Sequence, residues 1–198
     1  MTTGPALNRE GEDAWLRFKQ HLEWCDEFAL VFLFSDQPAI ISILRERLAA
    51  IYRARITGLE IPLPQTPDEL LEDLLPRLLS PFQYQQALNA PIWLDLTRTP
   101  SGLSGDGASV WREAGLQFLA RLNEQREPLR RVLTKPLILV LPLADKARVK
   151  ALAPDLWAIR HFSLETSPWL APAELAEPAR PPARPEPFHL TDTETSLV

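Results

Sequence analysis

Phe28-Ala29-Leu30-Val31-Phe32-Leu33-Phe34 is an unbroken apolar run. It is far shorter than the ~20 residues of a membrane span, and it has no polar side for a helix or half-exposed strand to show water. That leaves a strand buried on both faces, as found at the centre of parallel sheets covered by helices on either side. Pro136-Leu-Ile-Leu-Val-Leu141 has the same character. Two such strands imply a layered α/β domain, because parallel neighbours must be joined by crossovers, usually helical.

The intervening segments supply those crossovers. From Arg9 to Cys25, Trp15, Phe18, Leu22 and Cys25 recur at steps of three and four among charged residues, which predicts an amphipathic helix. Ser35 and Asp36 are expected to cap a second helix with Pro38 in its first turn, and Ile40, Leu44, Leu48, Ile51 and Tyr52 form its apolar stripe. Leu59 to Pro64 alternates like a short strand whose prolines confine it to a sheet edge. Thr66 followed by Pro67-Asp68-Glu69 marks another helix start, and Pro76 is expected to kink or shorten that helix. Pro91 to Leu96 is a further strand, and a long helix from Val110 to Leu133 is expected to bend at Pro128. A short helix from Leu143 to Ala153 and a strand from Ile159 to Glu165 complete the pattern. The expectation is a three-layer fold with a mostly parallel, five-stranded sheet.

Composition narrows the function classes. A chain of 198 residues suits one domain with a substantial core. With one cysteine, Cys25, it has no internal disulfide and no cysteine-rich zinc site. Lys and Arg number 21 against 26 Asp and Glu, which argues against general nucleic-acid binding, since phosphate neutralisation supplies most of that affinity. No apolar run is long enough for a membrane, and the first 25 residues carry acids and no cleavable apolar stretch; a cytoplasmic location is expected. From Pro168 the chain holds seven prolines in 31 residues, including Arg180-Pro-Pro-Ala-Arg-Pro-Glu-Pro187. This segment is expected to be extended or disordered, giving an α/β domain over residues 1–166 and a proline-rich tail over 167–198.

Candidate chemistry is sparse. The turn after Phe34 is where a phosphate-binding loop would sit, yet Ser35-Asp36-Gln37-Pro38 offers no glycine to wrap a phosphate, no lysine to reach it and a carboxylate that repels it. Asp95 closes a strand where nucleotide hydrolases place a magnesium-associated acid, but a strand-end aspartate bonding to nearby loop amides is the more frequent arrangement. Gly102, Gly105 and Gly107 belong to a connector without a basic residue. His21 and Cys25 lie one helical turn apart, with no third residue to orient the imidazole, while His161 and His189 are isolated. No catalytic residue, cofactor or metal is expected. Partner contacts are expected from the basic stretch at Arg126, Arg130 and Arg131, and from the tail. There Trp169, the Pro182-Ala-Arg-Pro185 segment, Phe188 and the final Leu197 and Val198 provide apolar and proline-rich features that a partner groove can read. A solvated helix face and a plain linker are the competing readings.

Ala153-Pro154-Asp155-Leu156-Trp157-Ala158-Ile159-Arg160, after Leu137-Ile138-Leu139-Val140-Leu141-Pro142 and with Leu119-Ala-Arg-Leu-Asn123 upstream, resembles degenerate P-loop NTPase-like domains of the signal-transducing, nucleotide-oligomerising type. Such domains occur in bacterial conflict and signalling proteins, often beside tetratricopeptide repeats or effector domains. The resemblance spans roughly residues 28–165. It implies a sheet in which the strand at 159–165 is followed by those at 28–34, 136–141, 91–96 and 59–64, and a place in bacterial antiphage or regulatory systems. This chain lacks the phosphate loop. The function expected is therefore a non-catalytic adaptor that binds another protein, such as one encoded by a neighbouring gene, with no nucleic-acid or membrane partner. The alternatives are a nucleotide-binding or hydrolysing domain that uses Asp95, and a protease substrate or pro-protein with a cleavable tail.

Overall fold

The computed structural model describes residues 6–25, 27–55, 58–79, 91–100, 105–166 and 169–170. The two apolar runs form adjacent central strands, β1 (Leu30–Phe34) and β3 (Leu137–Leu141), and every residue of both is buried. They pair in parallel, Leu30 opposite Leu137 through Phe34 opposite Leu141. β2 (Ile92–Asp95) adds to the far side of β3, and β4 (Phe162–Glu165) to the far side of β1, both parallel. Among the described residues the sheet has four strands in the order β2-β3-β1-β4.

The expected fifth strand, at residues 59–64, is reduced to one bridge from Glu60 to Ile92 on the outer side of β2. Glu60 exchanges both backbone bonds there: its N–H donates to Pro91 O (3.0 Å), and its carbonyl accepts from Trp93 N–H (2.8 Å). The next residue to face β2 is two positions on. That residue is Pro62, which has no N–H, so the ladder stops after one rung. Lys135, buried at the base of β3, holds the segment by an ion pair to Glu60 (2.9 Å).

Alternate residues of the strands build two cores. On one face, α1 (Arg9–Glu23) and α2 (Pro38–Ala54) bring Trp15, Phe18, Leu22, Ile40, Leu44 and Leu48 against Val31, Leu33, Trp93, Ile138, Val140 and Leu164. On the other, Leu30, Phe32, Phe34, Leu94, Leu139 and Leu141 meet the remaining helices. These are α3 (Leu75–Leu79), with the π-helical turn Glu69–Leu74 leading into it, α4 (Asp106–Glu124), α5 (Arg126–Val132), α6 (Lys146–Leu152) and α7 (Pro154–Ile159). The architecture is helix, parallel sheet, helix in three layers.

Several helix boundaries differ from the sequence pattern, each for a local reason. α1 ends at Glu23 and Cys25 follows it, half-buried, so Cys25 is not on the helical stripe. The 110–133 helix is two helices, α4 and α5, broken at Gln125 rather than bent at Pro128. Pro128 cannot donate to the Glu124 carbonyl and would clash with it; restarting the helix at Arg126 puts the proline in a first turn, where its missing N–H costs nothing. At Pro76, expected to kink or shorten its helix, the helix is distorted by the wide π-helical turn immediately before the proline, which accommodates the ring, and it continues to Leu79. That helix begins in a reciprocal cap, with Glu69 N–H donating to Thr66 Oγ1 (3.1 Å) and Gln65 N–H to Glu69 Oε2 (2.7 Å). The segment before β4 is a helix, α7, so the last strand starts at Phe162 rather than Ile159.

Packing also runs past Thr166, where the pattern placed the domain boundary. Leu170 forms an antiparallel bridge with Leu7, and Trp169 is buried.

A pair of ion-pair bonds joins α1 to α2, with Arg47 Nη1 and Nη2 each 2.6 Å from a Glu12 carboxylate oxygen. The hydrogen bond from Arg47 holds the Glu12 carboxyl below its ordinary value of 4.5. A depressed carboxyl stabilises the fold above its unfolded value, and that contribution disappears as pH falls through the folded value. Both partners are about a third exposed or more, so the effect is below about 1 kcal/mol. Glu12→Gln is expected to narrow its stability difference from wild type as pH drops below 4.5, read from urea midpoints across pH 6 to 3. A difference that stays constant across that range would show that the pair contributes nothing.

Candidate functional site

In open α/β sheets, ligands bind outside the carboxyl ends of the strands, where the direction of chain connection reverses. Here that edge is formed by the residues following Phe34, Asp95, Leu141 and Glu165. The corner between β1 and α2, where a phosphate loop would sit in a sheet of this kind, is occupied by the chain's own bonds. Ser35 is fully buried; its N–H donates to Leu141 O (2.9 Å), and its hydroxyl accepts from Thr166 Oγ1 (2.7 Å) and Gln37 N–H (3.2 Å). Asp36 does not cap α2. Its Oδ1 instead accepts from Leu143 N–H (3.0 Å), tying the β1 corner to the turn after β3. Gln37 is the N-cap of α2 and makes no side-chain cap bond, and Pro38 sits in the first turn.

At that edge, Asp145 is buried in the 3-10 turn Leu143–Asp145 after β3 and receives the Arg112 guanidinium in a fork, Nε lying 3.1 and 3.0 Å from its two oxygens. The same contact raises the Arg112 pKa above its usual value. Lys146 pairs with Glu165 across the ends of α6 and β4. The fork fastens the start of α4 over the end of β3.

Asp95 is half-buried at the end of β2, and its Oδ1 accepts from both Thr97 N–H (3.0 Å) and Thr97 Oγ1 (2.6 Å). This is the local turn arrangement that the sequence favoured over metal binding. Beside it lies a small hollow of about 80 Å³, lined by Pro62, Leu63, Gln65, Asp95, Arg98 and Trp111. Small-molecule pockets run to about 300–1,000 Å³. Among the described residues no group of three or more His, Cys, Asp or Glu is placed to hold a metal.

The other nominated residues separate widely. His21 is exposed and lies against the Phe162 ring (4.4 Å between centroids), while Cys25 has left the helix. His161 precedes β4, and its N–H donates to Leu30 O (2.8 Å). Gly105 has φ +57 and Gly107 is inside α4, so the helix starts within the glycine segment rather than after it; Gly102 lies outside the described residues. His189 also lies outside.

The basic stretch is largely engaged within the chain. Arg126 pairs with Asp155 (3.1 Å), Arg130 with Glu127 (4.0 Å), Arg121 with Glu72 (2.9 Å), and Arg112 and Lys135 as described. Of the six cations from Arg112 to Lys135, Arg131 has no ion pair among the described residues and is exposed. Trp169, expected on a docking surface, is 2% exposed and packs in the core beside α1, so it is not displayed to a partner in this state. Pro182, Pro185, Phe188, Leu197 and Val198 lie outside the described residues.

The distinctive Pro154-Asp155-Leu156-Trp157 segment is α7, a helix the residue pattern could have disclosed through Pro154 at its first position. Asn123 Oδ1 accepts from Leu156 N–H (2.9 Å), so two of the segments that carried the resemblance are bonded to each other. Trp157 stacks on Phe32 (5.6 Å), under Arg160 (3.9 Å) and Lys150 (4.7 Å). These contacts give the segment a scaffold role. Asn123→Ala leaves the Leu156 N–H without its acceptor and is expected to cost about 1–2 kcal/mol in chemical denaturation; a change under 0.3 kcal/mol would mean the bond is not maintained in solution.

No family model matches the chain, and no curated protein matches it. Among solved structures it is similar to the Aeropyrum pernix ORC2 protein in ADPNP-ADP complexes, at 12% identity and a TM-score of 0.42, over 83% of this chain and 49% of that one. The chain spans about half of that protein's length. Among the described residues, no helix is long and apolar enough to cross a membrane.

Proposed function

We propose that this chain is a degenerate P-loop NTPase-like domain serving as a non-catalytic protein-binding adaptor in a bacterial conflict or regulatory system. The observation that carries the reading is the corner after β1, where Asp36 bonds to the Leu143 amide and Ser35 is sealed against Thr166. A phosphate there would have to displace Asp36 from its amide and face the carboxylate's charge, with no lysine to offset it and with Pro38 supplying no N–H. What remains for function is surface and the proline-rich tail. The partner is a protein, and the products of neighbouring genes are the first candidates.

Co-purification of the full chain with its neighbours' products tests this. The expected result is a complex weakened by Arg131→Glu or by truncation after Leu170. A chain that stays alone with every neighbour, at micromolar concentrations of both, contradicts it.

A nucleotide-binding reading retains one observation, the hollow beside Asp95 with Arg98 and Trp111. Its cavity is below the size of a nucleoside triphosphate site, and Asp95 Oδ1 is already held by Thr97.

A further inference from the structure

The chain as a whole is acidic, with a formal charge of −5, but one stretch of its surface is not. From Lys146 to Arg160 it carries Lys146, Arg148, Lys150 and Arg160 against a single acid, Asp155. Asp155 is engaged by Arg126 of α5, and Lys146 by Glu165. Arg148, Lys150 and Arg160 have no ion pair among the described residues, and the whole stretch from β3 through β4 is described. Two of these cations converge. Lys150 Nζ lies 4.7 Å and Arg160 Cζ 3.9 Å from the centre of the half-buried Trp157 ring, which is also stacked on Phe32 in the core. Arg160 is fixed there, because its Nη1 donates to the Trp157 carbonyl. The carbonyl end of a helix attracts a cation, and Lys150 and Arg160 stand at the ends of α6 and α7. That attraction does not require both to meet at one indole. Like charges held at the same ring repel each other; a carboxylate set between them relieves the repulsion and gains charge-assisted hydrogen bonds.

We propose that Lys150, Trp157 and Arg160 form a docking patch for an acidic peptide segment of another protein. A guanidinium already held on an aromatic face loses little side-chain freedom when it pairs with a carboxylate, and the indole beside it offers apolar contact to the chain that carries the acid. Arg148 is exposed on the same helix as Lys150 and adds to the local positive field. On a chain that otherwise repels acidic partners, such a field selects where an acidic segment lands. An extended nucleic acid is disfavoured, because its phosphates continue past the patch over a surface of negative net charge. The use of the patch by a cellular partner rests on the adaptor reading; its affinity for an acidic peptide does not.

Titration of the isotope-labelled full chain with a hexaglutamate peptide, followed by NMR, tests it. Saturable shifts are expected at the Trp157 indole N–H, assigned with Trp157→Phe, and at the amides of Lys150 and Arg160. Lys150→Glu combined with Arg160→Gln should weaken the apparent affinity at least about tenfold. Arg53→Glu, at an exposed site on α2 across the sheet, should change it less than about twofold. Should Arg160→Gln disturb the fold, the exposed Lys150→Glu alone carries the comparison. No saturable shift at millimolar peptide, or equal weakening by Arg53→Glu, would overturn the patch. So would an oligothymidylate strand that binds the same residues more tightly than the peptide, or shifts there that arise from concentrating the chain alone, which would assign the surface to nucleic acid or to a second copy. Peptide binding at the patch in a chain that co-purifies with no neighbour's product would leave this inference standing and remove the adaptor reading.

Discussion

Phe32→Ala is expected to lower the free energy of unfolding by about 3–5 kcal/mol, the range for removing a fully buried aromatic ring. Phe32 is 0% exposed at the middle of β1, a central strand, and its ring lies 6.0 Å from Phe34 and 5.6 Å from Trp157. Truncation opens a void that the sheet cannot close, since Phe32 pairs with Ser163 on one side and Leu139 on the other. Domains of this kind have only about 5–15 kcal/mol in total. Soluble yield should therefore fall, and the denaturant midpoint should drop by about a fifth or more. Phe32→Leu keeps most of the volume and should recover most of the loss. A shift below 1 kcal/mol for the alanine variant would mean that β1 is not a central buried strand.

The second large effect is expected at the carboxyl edge. Arg112→Ala leaves Asp145, 2% exposed, without the guanidinium that balances it. Breaking a fully buried pair costs about 3–5 kcal/mol; here the arginine side is 48% open to water, so about 2–3 kcal/mol is expected. The loss comes from the stranded carboxylate more than from the missing attraction. Arg112→Ala combined with Asp145→Asn should therefore be more stable than Arg112→Ala alone, as a double-mutant cycle by urea denaturation will show. A double variant no better than the single would indicate that Arg112 acts through its alkyl packing instead.

The layered architecture was legible because two runs, Phe28 to Phe34 and Pro136 to Leu141, left few alternatives for a buried strand. Patterning alone could not locate interruptions that depend on which neighbour an N–H faces. Pro62 ends the outer ladder because Glu60 happens to face β2, and Pro128 breaks its helix one turn upstream of itself. The site was read mainly through what it lacks. That Ser35-Asp36-Gln37-Pro38 holds no glycine or lysine followed from residue types, but the engagement of Asp36 with Leu143, 107 positions away, required the fold. Long-range pairs explain the main correction too. Trp169 looked like an exposed docking residue because the proline-rich composition around it resembles a linker, and only Gly11 on α1, more than a hundred residues earlier, gives it a buried seat.

Titration calorimetry of the full chain with magnesium and ATP, then GTP, tests the central claim that the corner after β1 is closed to phosphate. At millimolar nucleotide no saturable heat is expected, and Asp36→Ala should not create any, because neither a lysine nor a glycine loop is present to hold the anion. Saturable binding by the unaltered chain, lost on replacing the exposed Asp36 by tryptophan (Asp36→Trp), would place a nucleotide at that corner and contradict the account.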